Sequence, residues 1–303
     1  MAKKILLIGG TYFLGRAFSE LMLENGDSEL TLIHRGTSAG VEGTKEILAD
    51  RHDPEALKKI PHVHYDAIVD FCAYKKGDIE NLLTNLNVDA DQYVFISTSD
   101  VYKRGTGKLL TEDAELEDRD FGGEAGEYIS GKAALEKEIA GACEKKGCRY
   151  TVLRPVFIFG EGNYAPREGI YFQWIDKAGQ IIHPIDADGE FQLVYVKDVA
   201  KAIETVIANP ECYDKAFNVC ENEMIGYDQF ADLLRSATET DFSLAEVDVN
   251  TINEKGIPLP FPLTKAETNY YDGSRLSNLG MRFTPLEKAL RQTFLYWKKT
   301  QTV

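Results

Sequence analysis

Tyr128 and Lys132 stand four residues apart at the head of an apolar-periodic run through Ala133, Ala134, Leu135, Ile139 and Ala140. On a helix, positions i and i+4 share a face, so this spacing points a phenol and an ammonium the same way. A phenol titrating near 10 is a poor proton shuttle at neutral pH. A neighbouring cation stabilises its phenolate and draws the pKa toward the working range. The pair could therefore act as a general acid/base. With 15 tyrosines in the chain, about one Tyr-x-x-x-Lys arises by chance, so the pair gains meaning only beside a cofactor site and a third polar group.

The third group is offered by Ser97-Thr98-Ser99-Asp100-Val101-Tyr102, which follows the strand-like run Tyr93-Val94-Phe95-Ile96. In an open α/β sheet ligands bind beyond the carboxyl ends of the strands, where these hydroxyls could donate to and accept from a substrate oxygen. A serine-rich turn capping the next segment is the plainer alternative. The cofactor site is offered at the start of the chain. Lys4-Ile5-Leu6-Leu7-Ile8 reads as a strand buried on both faces, followed by Gly9-Gly10-Thr11-Tyr12-Phe13-Leu14-Gly15 and a helical pattern through Ala17, Phe18, Leu21 and Leu23. Strand, glycine turn and helix in that order make a phosphate site, because the helix N-terminus presents free N–H groups and a positive dipole end.

The elements that must position these groups recur along the chain. Leu30 to Ile33 is a second strand ending in His34-Arg35-Gly36, where an acid holding the ribose hydroxyls would normally stand roughly 20 residues after the glycines. Arg35 in its place could pair with a 2′-phosphate, which favours NADP over NAD. Ile47 to Asp50 and Ala67 to Phe71 read as the third and fourth strands, Tyr150 to Arg154 as the sixth, and Ala216 to Cys220 as a further strand. By their place at strand ends, Asp50, Arg51, Phe71, Ala73 and Pro155 join Gly9, Thr11, Tyr12, Phe13, Leu14, Gly15, His34 and Arg35 as candidate cofactor contacts. The expected fold is α/β, a doubly wound parallel sheet with a smaller C-terminal substrate-binding region. Residues 1–160 form the dinucleotide-binding part and 191–220 return to it, while 161–190 and 221–303 cover the substrate. The stretch from Thr111 to Glu127 reads as a surface loop, and 161–190, without clean periodicity, as an irregular cover whose aromatics mostly pack rather than touch ligand.

Composition narrows the function classes. The chain has 303 residues, 44% hydrophobic and 27% charged, as in ordinary globular proteins. A net charge of −15 opposes nucleic acid as a main partner, since phosphate backbones need a basic surface. Five scattered cysteines without Cys-x-x-Cys, and five histidines in no ligand pattern, point to free thiols and no metal; His183 reads as structural or exposed. No stretch reaches the roughly 18 apolar residues of a membrane span, and a cytoplasmic location is expected.

Taken together, these residues resemble the extended short-chain dehydrogenase/reductase family, its NAD-dependent epimerase/dehydratase group. The likeness covers nearly the whole chain, through the Gly9 to Gly15 turn, Ser97-Thr98-Ser99, Tyr128 to Lys132, Leu153-Arg154-Pro155, Val194 to Ala200 and Asp272-Gly273-Ser274-Arg275-Leu276. It implies that Thr98, four residues before Tyr102, is the catalytic hydroxyl, that Tyr128 is the acid/base, and that Lys132 binds the nicotinamide ribose and lowers the phenol pKa. It also implies an NAD(P)-dependent reductase or epimerase acting on a small, sugar-like substrate, and a homodimer as one arrangement found in the family. Four departures stand out. Tyr12 occupies a position usually held by glycine, a form similar to a subgroup containing chloroplast stem-loop-binding proteins, some of which act on RNA. Ser99-Asp100 stands where dehydratases carry Asp-Glu. The arginines that hold a nucleotide-sugar diphosphate align with Phe191 and near Pro262, with only Lys265 close by. The competing expectation is a dinucleotide-sensing or RNA-associated binding protein that has kept the fold.

Overall fold

The computed structural model describes residues 2–301 apart from Thr106, Asp120 and Pro166. Seven parallel strands form its sheet: β1 (Lys3–Ile8), β2 (Ser28–His34), β3 (Lys45–Leu48), β4 (His64–Asp70), β5 (Asp89–Ile96), β6 (Arg149–Pro155) and β7 (Lys215–Val219). Their spatial order is β7-β6-β5-β4-β1-β2-β3, so the winding direction reverses between β1 and β4. That reversal opens a crevice at the carboxyl ends, where neighbouring connections leave to opposite faces of the sheet.

Alternate residues of each strand feed two cores. Ile5 and Leu7 of β1 pack with Phe18, Met22 and Val199 on one face, and Leu6 and Ile8 pack with Ile68, Phe95, Leu135 and Ile139 on the other. A strand covered on both faces has no solvent side, which is why β1 reads as an unbroken apolar run. Helices α1 (Phe13–Asn25) and α5 (Val196–Val206) cover the first face; α2 (Asp78–Asn85) and α3 (Gly123–Lys146) cover the second.

Two expectations are corrected. The segment 161–190 is not irregular throughout: α4 (Glu168–Ala178) and a strand at Gln180–Pro184 lie within it. Its apolar stripe is short and broken by Gly169, yet Tyr171, Phe172 and Ile175 are buried and pack on α6 (Tyr227–Thr238) and α7 (Leu286–Gln301) through Phe230 and Phe294. The expected loop ends early, because α3 begins at Gly123; the pair Gly122 and Gly123, both at positive φ, hides the start from propensity. Tyr128 therefore lies in the second turn of its helix. Asp198 ties the C-terminal region to α5, accepting from the Thr284 N–H at 2.7 Å and its hydroxyl at 2.9 Å. Among the described residues no helix is long and apolar enough to cross a membrane.

Candidate active site

The crevice widens into a cavity of about 1030 Å³ running from the glycine turn past Tyr128 to an aromatic far end. At the turn, an added Cβ on Gly15 would sit 2.1 Å from the Cα of Gly10, so α1 starts in backbone contact with the strand end. Gly9 and Gly10 both have positive φ. Only glycines permit that approach, which leaves the first N–H groups of α1 facing the cavity. The cradle fits a dinucleotide pyrophosphate on this donor set alone. Tyr12, 56% exposed, lies with its ring centroid 5.4 Å from that of Tyr164, and Phe13 meets the same ring edge-on at 5.9 Å. The mouth beside the pyrophosphate cradle is thus bridged by an aromatic clasp. A Tyr164→Ala variant is expected to release bound dinucleotide about 2- to 10-fold faster, the range of one aromatic pair; stopped-flow displacement followed by nicotinamide fluorescence measures it, and an unchanged rate removes the clasp from gating.

The reacting end is built by β5 and α3. Thr98 leaves β5 in extended conformation, and its hydroxyl accepts from the Asp100 N–H at 3.2 Å, so the plainer role as a cap of the following turn is filled. The same hydroxyl donates to the Asp100 carboxylate at 3.4 Å and lies where it favours the ionised form of the Tyr128 phenol. Gly131, between Tyr128 and Lys132, lets α3 press against the Tyr74 carbonyl, where a Cβ would come within 2.0 Å of that oxygen. Tyr128 and Lys132 share the cavity wall, as the i, i+4 spacing requires. Lys132 is buried, donates to the Ile96 carbonyl at 2.7 Å, and has its Nζ 4.7 Å from the Tyr74 ring centroid and 5.9 Å from that of Tyr128.

The electrostatics differ from the expectation. Burial, and then the charge of Asp100, push the Tyr128 phenol up to about 12, while Thr98 and Arg167 act in the opposite direction. Burial pulls Lys132 down to about 8 against the field of Asp70. The ammonium is engaged by the Ile96 carbonyl, and the phenol stays above its ordinary value.

Of the residues singled out from sequence, Gly9, Thr11, Tyr12, Phe13, Leu14, Gly15, Phe71, Thr98, Tyr128, Lys132 and Pro155 line this one cavity. His34, Arg35, Asp50, Arg51 and Ala73 do not. His34 is held at both nitrogens, by Glu46 at 2.9 Å and by the Gly36 N–H at 3.2 Å, and pins the turn after β2. Arg35 is exposed beside that turn, where its charge reaches Asp50. The Asp50 carboxylate accepts from the His52 N–H at 2.9 Å, which helps hold it below its ordinary range. Arg51 is held away from the cavity: it is buried, its Nη1 meets both Asp70 oxygens at 2.7 and 2.8 Å, and its Nη2 donates to the Asp78 carbonyl. A guanidinium so committed is a strut between β4 and α2. Ala73 is fully buried.

Sequence reading missed Cys72, Tyr74, Arg104 and Arg167, which line the cavity from loops that carry no periodic signal. At the far end Phe191 and Pro262, the positions aligned with diphosphate arginines, face the cavity without a cation; Phe191 stacks on Phe261 at 4.1 Å. The Lys265 N–H is bound by Asp188 outside the cavity lining.

A model of the NAD dependent epimerase/dehydratase family matches residues 5–220, a span holding the glycine turn, Thr98, Tyr128 and Lys132. The chain belongs to that family. This epimerase/dehydratase-family chain, a member of an NAD(P)-dependent enzyme family, is 28% identical over 247 residues to chloroplast stem-loop binding protein of 41 kDa b from Arabidopsis thaliana. That match covers 76% of this chain and 61% of the plant protein, so the chain spans less than two thirds of that relative's length. UDP-glucose 4-epimerase from Thermotoga maritima superposes with a TM-score of 0.76 at 18% identity, over 98% of this chain and 99% of that one. UDP-N-acetylglucosamine 4-epimerase from Methanobrevibacter ruminantium superposes at 0.77 and 19% identity, over 99% of both chains. At these identities the superpositions establish the fold, the Rossmann-type sheet expected from the sequence.

Proposed function

We propose that this family member is an NAD(P)-dependent reductase or epimerase acting on a hydroxyl or carbonyl carbon of a small, sugar-like substrate in a reducing, cytoplasmic setting. The observation that carries the reading is the convergence of Thr98, Tyr128 and Lys132 on one cavity that begins at the Gly9 to Gly15 cradle. A bound nicotinamide supplies the hydride donor or acceptor. Tyr128 moves the proton at the substrate oxygen, Thr98 donates to that oxygen, and Lys132, through its ammonium, holds the ribose side and the charge that forms on the phenol. Thr11 to Gly15, Phe71 and Pro155 would line the dinucleotide. Arg35, exposed at the end of β2, would take a 2′-phosphate, which makes NADP the preferred form. Residues 161–190 and 221–303 supply the substrate side.

Parallel thermal-shift titrations with NADP(H) and NAD(H) test this. Ligand at about 100 times its Kd stabilises the fold by roughly 2.7 kcal/mol, and the larger shift is expected with NADP(H). Equal shifts make Arg35 incidental; no shift with either removes the dinucleotide reading. The plant relative's name favours one second reading, an RNA-associated protein. The net charge of −15 opposes it, and a gel shift with stem-loop RNA at near-physiological salt decides between them.

A further inference from the structure

We infer that the substrate of this site carries a single oxyanion, a carboxylate or one phosphate, received by Arg167, and is not a nucleoside diphosphate. The inference rests on the dinucleotide-dependent reading above.

Arg167 precedes α4 and lines the cavity. Its Nη1 donates to the Ile158 carbonyl at 2.7 Å, and its guanidinium lies 5.4 Å from the ring centroid of Phe157. No ion pair with a described carboxylate engages it. Its charge acts on Glu168, whose oxygens are already engaged, accepting from the Gly160 N–H and the Asn163 amide. One edge of the plane is therefore fixed by a backbone carbonyl and an aromatic face, which leaves the remaining N–H groups for a ligand. A guanidinium held in place loses little side-chain entropy on meeting an oxyanion and matches its two oxygens in one plane. Arg167 and Tyr128 line the same cavity, so an anion received by one can belong to the molecule whose oxygen meets the other.

The rest of the substrate side argues against a second phosphate. Arg104 is committed to Asp100 at 2.7 Å, and Lys132 is buried on the Ile96 carbonyl. The far wall carries the stacked Phe191 and Phe261 together with the carboxylates of Glu190 and Glu267. A diphosphate reaching past Arg167 would meet apolar rings and like charge, both of which raise the cost of burying it.

The full-length protein, saturated with whichever dinucleotide stabilises it, is titrated calorimetrically with glucose 6-phosphate, glucuronate, glucose, inorganic phosphate and UDP-glucose. Tighter binding of glucose 6-phosphate or glucuronate than of both glucose and UDP-glucose is expected, and the stronger of the two separates phosphate from carboxylate recognition. Arg167→Gln is expected to weaken the preferred anion about 10- to 100-fold, the range of a charge-assisted contact, while the dinucleotide thermal shift persists as proof of folding. Arg167→Lys keeps part of the affinity. Three results overturn the inference: UDP-glucose binding tightest, no anion binding better than glucose, or an anion preference untouched by Arg167→Gln. Loss of the dinucleotide shift in the wild-type protein instead overturns the reading beneath it.

Discussion

Replacing Tyr128 by phenylalanine is expected to lower kcat about 10²- to 10⁴-fold while leaving dinucleotide affinity nearly unchanged. The substitution removes one oxygen and keeps the ring that faces Tyr74, with centroids 6.3 Å apart, so the cavity wall survives. Thr98 still offers its hydroxyl to the substrate oxygen, but the proton that Tyr128 would move is lost. Steady-state kinetics beside a dinucleotide titration separate the two quantities; unchanged turnover would take the tyrosine out of the mechanism. Because desolvation and Asp100 hold the phenol at about 12, the form present at neutral pH is the protonated one. That form is suited to donating a proton to a carbonyl oxygen during reduction. A variant Asp100→Asn is a milder companion, since removing that charge should lower the phenol pKa and shift the rise of the oxidative rate, where the phenolate is the base, to lower pH.

The second large effect belongs to Lys132. Its ammonium is buried, and its pKa falls to about 8 because of that burial, against about 10.4 in an unfolded chain. Below pH 8 both folded and unfolded chains carry the proton, and the folded one bears the full desolvation penalty. Between pH 8 and about 10.4 the unfolded chain binds more protons than the folded one, so this group makes stability rise with pH across that window. At roughly 1.4 kcal/mol per unit the penalty at neutral pH is on the order of 3 kcal/mol. Loss of the Ile96 hydrogen bond offsets about 1 kcal/mol of any gain from removing the charge. Lys132→Met is therefore expected to stabilise the ligand-free protein by ~2 kcal/mol at pH 7, with the advantage shrinking toward pH 10, while turnover falls at least about 100-fold. Chemical denaturation at pH 7, 8.5 and 10 reads the first effect. A variant less stable than wild type at pH 7, with a difference that does not move with pH, would contradict it. A buried ammonium that weakens the fold while serving the cavity is the pattern of a site whose charge is kept for chemistry rather than for stability.

The amino-acid sequence by itself determined the sheet and the meeting of Tyr128 and Lys132 on one helix face, because both depend on short-range pattern. A strand buried on both faces must be apolar at every position, as β1 is, and a helix must bring residues four apart to one side, as α3 does with Tyr128 and Lys132. The glycine turn was legible for the same reason: the contact between Gly10 and Gly15 excludes any side chain, so residue type and spacing report it directly. Tertiary structure decided what depends on partners distant in the chain. Arg51 looks available at a strand end until Asp70 and the Asp78 carbonyl claim it. The Tyr128 phenol looks tuned downward until the Ile96 carbonyl draws the Lys132 ammonium to itself and partial desolvation with the Asp100 charge raises the phenol instead. Arg167 carries no sequence signal, being one arginine in an aperiodic stretch. Its meaning comes from Phe157 and Ile158 holding the guanidinium in place, and from the carboxylates and stacked rings of the far wall, contributed by residues 190–267. Local pattern sets which groups are present and which way a helix or strand turns them; burial and charge at each group are sums over neighbours that only the folded chain assembles.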